Sequence, residues 1–273
     1  MQSTVDTSTR SPVTTAELGW LLEHSIPENI CLVGKHISNI SFLKDPAKGA
    51  TDTSQTSLLS DDGTDIKGTA VVLGTRVTQL SLTLPSVGQP GQGTDITVYM
   101  KKGETLALKQ AQDSRNYIKS TLRWAQSSSQ FDTRDNALVF VERMLNGIQR
   151  AKNILVADNQ HGLMPLQSGT AKMFAPALPD NMVVECSISG CDFVTRVYWL
   201  KFRRDAKSTG ILDAFTKEPS TGHVLVYDGR LAEVKKETVY KAKLEDLQRN
   251  LDCLDRAAGV CIDIIGQLNA FSI

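Results

Sequence analysis

Leu244, Leu247, Leu251, Leu254, Ala258, Cys261, Ile265 and Leu268 succeed one another at alternating steps of three and four. An apolar residue about every 3.5 positions draws one stripe along a single side of a helix. A helix of roughly 30 residues is therefore predicted at the C-terminus, and its stripe has to be covered by other helices. A second chain could zip onto it, or neighbours within the chain could enclose it. The chain itself supplies compatible neighbours, so enclosure within one chain is the expected arrangement and an intermolecular zipper the alternative.

Those neighbours lie far apart in the sequence. Thr14-Thr15-Ala16-Glu17 has the spacing of a capping box. Leu18, Leu22, Ile26, Ile30, Val33, Ile37 and Ile40 then form one helical stripe, in which Pro27 is expected to cause a kink or break. From Glu104 to Ser127 the stripe is Leu108, Ala111, Ile118, Leu122 and Ala125, with Arg115 as its polar member. Asp132 or Thr133 can cap the next helix, whose stripe is Leu138, Val141, Leu145, Ile148 and Leu155. A connection of about five residues makes these two helices antiparallel neighbours.

Other stretches change period. Residues 69–73, 78–84 and 96–100 read as strands, as do 184–188, 193–202, 223–227 and 230–239. Leu80, Leu82 and Leu84 alternate with polar residues, the pattern of a half-buried strand. Asp228-Gly229 supplies the positive φ angles of a type I′ hairpin turn. Residues 44–65, 87–94, 157–181 and 203–222 read as loops. The order of elements predicts an α+β chain. An antiparallel four-helix bundle is expected from residues 14–44, 104–157 and 240–273, and an antiparallel β domain from 58–103 and 170–239, with 1–13 as a disordered lead-in. Parallel βαβ architecture is disfavoured, because helices do not alternate singly with strands.

Lysine plus arginine and aspartate plus glutamate each total 30, so no net field exists to hold nucleic acid or an anionic membrane. No apolar run reaches the ~18 residues that would span a bilayer. The first residues lack signal-peptide order, Gln2 excludes N-myristoylation, and the final four residues hold no prenylation cysteine. Five cysteines in such a chain read as reduced thiols of a cytoplasmic protein. Phosphate-loop, zinc-helix, nucleophile-elbow and Cys-x-x-Cys motifs are all missing. His24, His36, His161 and His223 are too dispersed to form a metal set, and Gly88, Gly91 and Gly93 read as a turn. Asp61-Asp62-Gly63-Thr64-Asp65 lacks the ligand pattern of a calcium loop. Cys186 and Cys191 flank a turn, while Cys253 and Cys261 sit on the last helix. Lys201, Arg203, Arg204 and Lys207 beside Trp199 and Phe202 read as a solvated strand end, with contact to an acidic protein or a lipid headgroup as the alternative. No catalytic, cofactor or metal site is predicted.

Lys172-Met173-Phe174-Ala175-Pro176-Ala177-Leu178-Pro179 resembles the Met-Phe-Ala-Pro-Ala-Leu-Pro signature of the Rogdi leucine-zipper family. That family includes the smaller subunit of the RAVE complex, the regulator of the vacuolar and endosomal proton ATPase. Trp20-Leu21-Leu22 and Gln112-Asp113-Ser114-Arg115-Asn116 are similar to further family segments, and the leucine seam sits where the family has one. The resemblance implies a helical bundle with an antiparallel β module. It also implies a non-enzymatic adaptor that promotes assembly of the soluble and membrane sectors of the vacuolar-type proton ATPase. The implied partners are a large β-propeller-bearing RAVE or rabconnectin-like subunit, a Skp-type adaptor in fungi, and the soluble ATPase sector. The implied location is cytoplasmic, with peripheral recruitment to vacuolar or endosomal membranes through partners and no direct membrane insertion. Pro27 inside the first helix departs from the family pattern.

Two prolines stiffen the signature, and its apolar residues can either anchor it between the two modules or face a partner. On the second reading Phe174, Ala175, Pro176, Leu178 and Pro179 are the candidate partner-binding residues. An independent self-associating leucine-zipper scaffold is the alternative function, and an enzyme with a site assembled from distant residues is a third.

Overall fold

A computed structural model describes residues 12–41, 55–60, 65–84, 95–127, 130–157, 169–202 and 224–271. Residues 1–11 of the expected lead-in lie outside these, as do Asp61 to Thr64, Gly88, Gly91, Gly93, His161, Arg203, Arg204, Lys207 and His223. The chain divides into two compact units, one from Met1–Leu43, Asp113–Ile154 and Gln248–Ile273, the other from Lys44–Gln112 and Leu155–Leu247.

In the first unit, α1 (Pro12–Trp20), a π-helical turn (Leu21–Ser25) and α2 (Ile26–Ser38) form one helical segment. Pro27 does not break it. The wide turn, closed by the Ile26 N–H on the Leu21 carbonyl, lies just before the proline. Pro27 thus falls in the first turn of α2, where a missing N–H removes no bond of that helix. Leu22, Ile26, Ile30, Val33, Ile37 and Ile40 are buried, as their spacing requires.

Helices α3 (Lys109–Ser127) and α4 (Arg134–Val156) bury smaller residues than expected. Ser114 and Thr121 join Ala111 and Ile118 on α3, and Ala137, Met144 and Ala151 join Val141 and Ile148 on α4. Leu122, Ala125, Leu138 and Leu145 are only half-buried. The two helices approach closely at one pair: a Cβ on Gly147 would meet Thr121 Oγ1 at 2.3 Å.

Helix α5 (Glu245–Ala270) buries Leu247, Leu251, Leu254, Ala257, Cys261, Ile264 and Leu268. Ala258 and Ile265, expected in the seam, are half-buried at its border. The seven-residue repeat Leu247, Leu254, Cys261 and Leu268 is kept along the whole helix, while the row beside it passes from Leu251 to Ala257 and Ile264. Polar ties fix this helix: Arg134 Nε donates to the Leu268 carbonyl at 2.7 Å, Lys152 pairs with Asp255, and the Ser41 N–H donates to Asn250 Oδ1 at 2.8 Å.

The second unit corrects the expected fold class. A four-helix bundle with an attached β module does not describe the chain: about a third of the described residues are strand, joined in a single ten-stranded antiparallel sheet. Its strands are β1 (Gln55–Ser60), β2 (Ile66–Leu73), β3 (Arg76–Leu84), β4 (Ile96–Met100) and β5 (Leu106–Ala107). They continue with β6 (Phe174–Ala175), β7 (Met182–Ser189), β8 (Asp192–Phe202), β9 (Val224–Tyr227) and β10 (Arg230–Lys243). The spatial order is β6-β4-β3-β2-β1-β10-β8-β7, with β5 on β3 and β9 on β10. Three strands were read as loop or helix from the sequence: β5 and β6 are two residues each, and β1 is the polar run Gln-Thr-Ser-Leu-Leu-Ser. β1 has the largest consequence, because it alone joins β2 to β10. Asp228 (φ 51) and Gly229 (φ 71) form the expected β9–β10 turn.

Leu254 has no exposed surface. Leu254→Ala is expected to cost about 2–5 kcal/mol, read as a lowered thermal midpoint of the helical unit. In the sheet, a Cβ on Gly68 would meet the Ser81 carbonyl oxygen at 2.1 Å. Gly68→Ala must therefore push β2 off β3, and amide hydrogen exchange should accelerate along both strands; unchanged protection there would contradict the packing.

Candidate partner-binding surface

The signature segment closes one end of the sheet. Gly169 adopts a left-handed conformation (φ 80) and leads into a 3-10 turn over Thr170–Met173. Phe174 and Ala175 then pair with Met100 and Tyr99 as the outermost strand. Flanking bonds hold the segment in place: the Lys101 N–H donates to the Met173 carbonyl at 2.7 Å and Lys101 Nζ to the Lys172 carbonyl at 2.7 Å. The Leu178 N–H returns to the Ala171 carbonyl at 3.2 Å, and the Met182 N–H to the Pro179 carbonyl at 2.9 Å. All these partners belong to the sheet unit.

The structure splits the five candidate residues. Phe174 and Leu178 are buried, so they anchor the segment to the sheet and leave no side-chain surface for a partner. Ala175, Pro176 and Pro179 are exposed, together with Ala177. The Ala175–Pro176 peptide is cis. Directly paired residues share a sheet face, which places Tyr99 beside Ala175. Tyr99 is 57% exposed, and Ile96 at the start of the same strand is 50% exposed. Neither was singled out from the sequence, although Tyr99 falls on the solvent side of the β4 alternation. Ile96, three residues before Tyr99, lies on the opposite face of the strand, so the patch is Tyr99, Ala175 and Pro176, flanked by the exposed Lys101 and Lys172. Pro176 has no N–H to offer a further strand, so this edge resists extension of the sheet and presents side chains instead.

A polar cluster lies on β7, β8 and β10. Tyr198 Oη donates to Glu185 Oε2 at 3.2 Å, Arg196 Nη1 donates to Ser187 Oγ at 2.8 Å, and Arg196 Nε is 3.4 Å from Glu237. Burial raises the Glu185 carboxyl above its ordinary value, against the lowering pull of the Tyr198 bond and of Arg196. Burial likewise pushes the Cys186 and Cys261 thiols up to about 12, which holds them protonated and unreactive at neutral pH. Cys186 and Cys191 are not joined in a disulfide. Among the described residues no group of three or more His, Cys, Asp or Glu could hold a metal ion. His24 packs edge-on against Trp20. Of the basic–aromatic cluster, Trp199 is buried, Lys201 is exposed, and the cations over the rings are instead Lys236 on Trp199 and Arg230 on Phe202.

Together these features define a class: a two-unit protein with a leucine-seamed helical unit and a ten-stranded antiparallel sheet whose end strand carries the Phe-Ala-Pro segment. A sequence model described as Rogdi leucine zipper containing protein matches residues 17–249. The chain belongs to this family. The protein rogdi homolog of Mus musculus is 26% identical over 192 residues, covering 67% of this chain and 66% of the mouse protein. The protein rogdi homolog of Homo sapiens is 25% identical over 202 residues, covering 71% of this chain and 69% of the human one.

Phe174→Ala should cost about 3–5 kcal/mol of stability, whereas Tyr99→Ala, at an exposed position, should leave the thermal midpoint within about 2 °C. Glu185 sets a pH dependence. Its folded pKa lies above the unfolded one, so its contribution is complete below the ordinary carboxylate range and is lost as pH rises through the raised folded value. Glu185→Gln should accordingly stabilise the protein at pH 7, with the gain vanishing towards pH 4 in a melting series; a pH-independent difference would contradict the burial.

Proposed function

We propose that this chain is a non-enzymatic adaptor subunit that promotes the joining of the soluble and membrane sectors of the vacuolar-type proton ATPase, as the smaller subunit of a RAVE-type complex. The observation that carries this reading is family membership over residues 17–249. The signature segment supports it, because a rigidly held edge with Tyr99, Ala175 and Pro176 turned outward suits contact with another protein. The proposed partners are the large β-propeller-bearing RAVE or rabconnectin-like subunit, a Skp-type adaptor in fungi, and the soluble ATPase sector. No helix among the described residues is long and apolar enough to cross a membrane. Recruitment from the cytoplasm to vacuolar or endosomal membranes would then run through these partners.

A self-associating zipper scaffold would need the α5 seam between chains, yet Leu251, Leu254 and Cys261 are already covered within one chain. Sedimentation of the purified protein separates the two: the adaptor is compatible with a monomer, the scaffold requires a dimer.

Deletion of the gene should leave both ATPase sectors synthesised but poorly joined, with weakened organelle acidification. Restoration by the wild-type chain, but not by a folded Tyr99→Ala variant, would tie the effect to the patch. Normal sector association in the deletion strain would refute the adaptor role.

A further inference from the structure

Helices α3 and α4 enclose a surface groove of about 500 Å³ within the helical unit. Its floor is the close approach of Thr121 and Gly147, where neither side chain can fill the space between the helices. Tyr117 and Trp124 on α3 form one wall, and Arg143 and Arg150 on α4 the other. These pairs are each seven residues apart, so both walls run two helical turns, about 10 Å. Val139, 64% exposed, extends the apolar surface at one end.

The cations of α4 sort themselves by position. Arg134 pairs with Asp135, and Lys152 with Asp255. Arg143 and Arg150, the two that line the groove, have no acidic partner among the described residues. Arg143 instead reaches across to the Trp124 ring, its Cζ 3.8 Å from the ring centre, which fixes one charge at that end of the groove. Glu142 is the single acid of the lining.

We propose that this groove docks an amphipathic acidic helix of a partner protein, with carboxylates two turns apart meeting Arg143 and Arg150 and apolar residues between them seated over Gly147. A third helix fits a trough between two helices, since its side-chain ridge lies along the trough. A flat anionic membrane fits poorly, because the floor is recessed and Glu142 stands on the rim. The site stands independently of the ATPase reading.

The test uses the full chain and a labelled synthetic 18-residue helix with Glu at positions seven apart and Leu between them. A second peptide carries Lys in place of each Glu. Fluorescence anisotropy should show binding of the acidic peptide alone, weakening with salt. Arg143→Glu with Arg150→Glu should reduce affinity at least about tenfold. Lys119→Glu with Arg123→Glu, the same charge change on α3 outside the groove, should leave it within about twofold. If the first pair melts early, Arg150→Glu alone serves, since that side chain is exposed. Absence of peptide binding, or equal loss from both pairs, overturns the proposal. Binding only to phosphatidylserine vesicles overturns it in favour of a membrane surface.

Discussion

Two residue pairs, Leu59 with Lys241 and Ser60 with Tyr240, hold ten strands together as one sheet. On one side lie β6, β4, β3, β2 and β1; on the other, β10, β8 and β7. β1 and β10 come from chain segments on either side of α3 and α4, and β6, which follows those helices, returns to pair with β4, so two short long-range pairings carry the loop-closure cost of the sheet. Tyr240 compensates. It is among the largest fully buried side chains, and its hydroxyl donates to the Thr83 carbonyl at 3.2 Å, tying β10 to β3 although β1 and β2 lie between them in the strand order. Burial also pushes that phenol up to about 12, so the donor stays protonated. β10 is the shared element of this arrangement. Its 14 residues pair with β8 along nearly their whole length, and with β9 and then β1 on the opposite edge.

The helical unit solves a different problem. α5 contributes a seam of leucines, whereas α3 and α4 bury Ala, Ser and Thr as well as Ile and Met. Small residues let α3 and α4 approach closely at Thr121 and Gly147, and the same absence of side chain leaves the trough on their outer side. Buried Asn250, bonded to Ser41, places a satisfied polar group at the start of the α5 seam, a device that favours one register over its alternatives.

The Phe174–Pro179 segment shows how a short motif divides its labour. Phe174 and Leu178 are covered by apolar surroundings and hold the backbone to the sheet, so Ala175, Pro176 and Pro179 are displayed on a rigid support. Rigid display lowers the ordering cost of any contact made there. The display surface is completed by Tyr99, 76 positions before Ala175 in the chain and adjacent to it only through strand pairing.

Periodicity and turn chemistry are local, and what depends on them was legible: the apolar stripes from Leu22 to Ile40 and from Leu247 to Leu268, the alternation of β3, and the Asp228-Gly229 turn all follow from residues a few positions apart. The signature residues likewise pointed to the family later matched over most of the chain. Tertiary structure decided the rest. Gln55–Ser60 carries no strand pattern of its own and becomes β1 because the edges of β2 and β10 stand open to it. Ala257 and Ile264 are buried in place of Ala258 and Ile265, a choice between adjacent apolar residues that is made by where the neighbouring segments lie. Both outcomes depend on backbone partners and side-chain neighbours contributed by distant segments, and a local pattern holds no record of these.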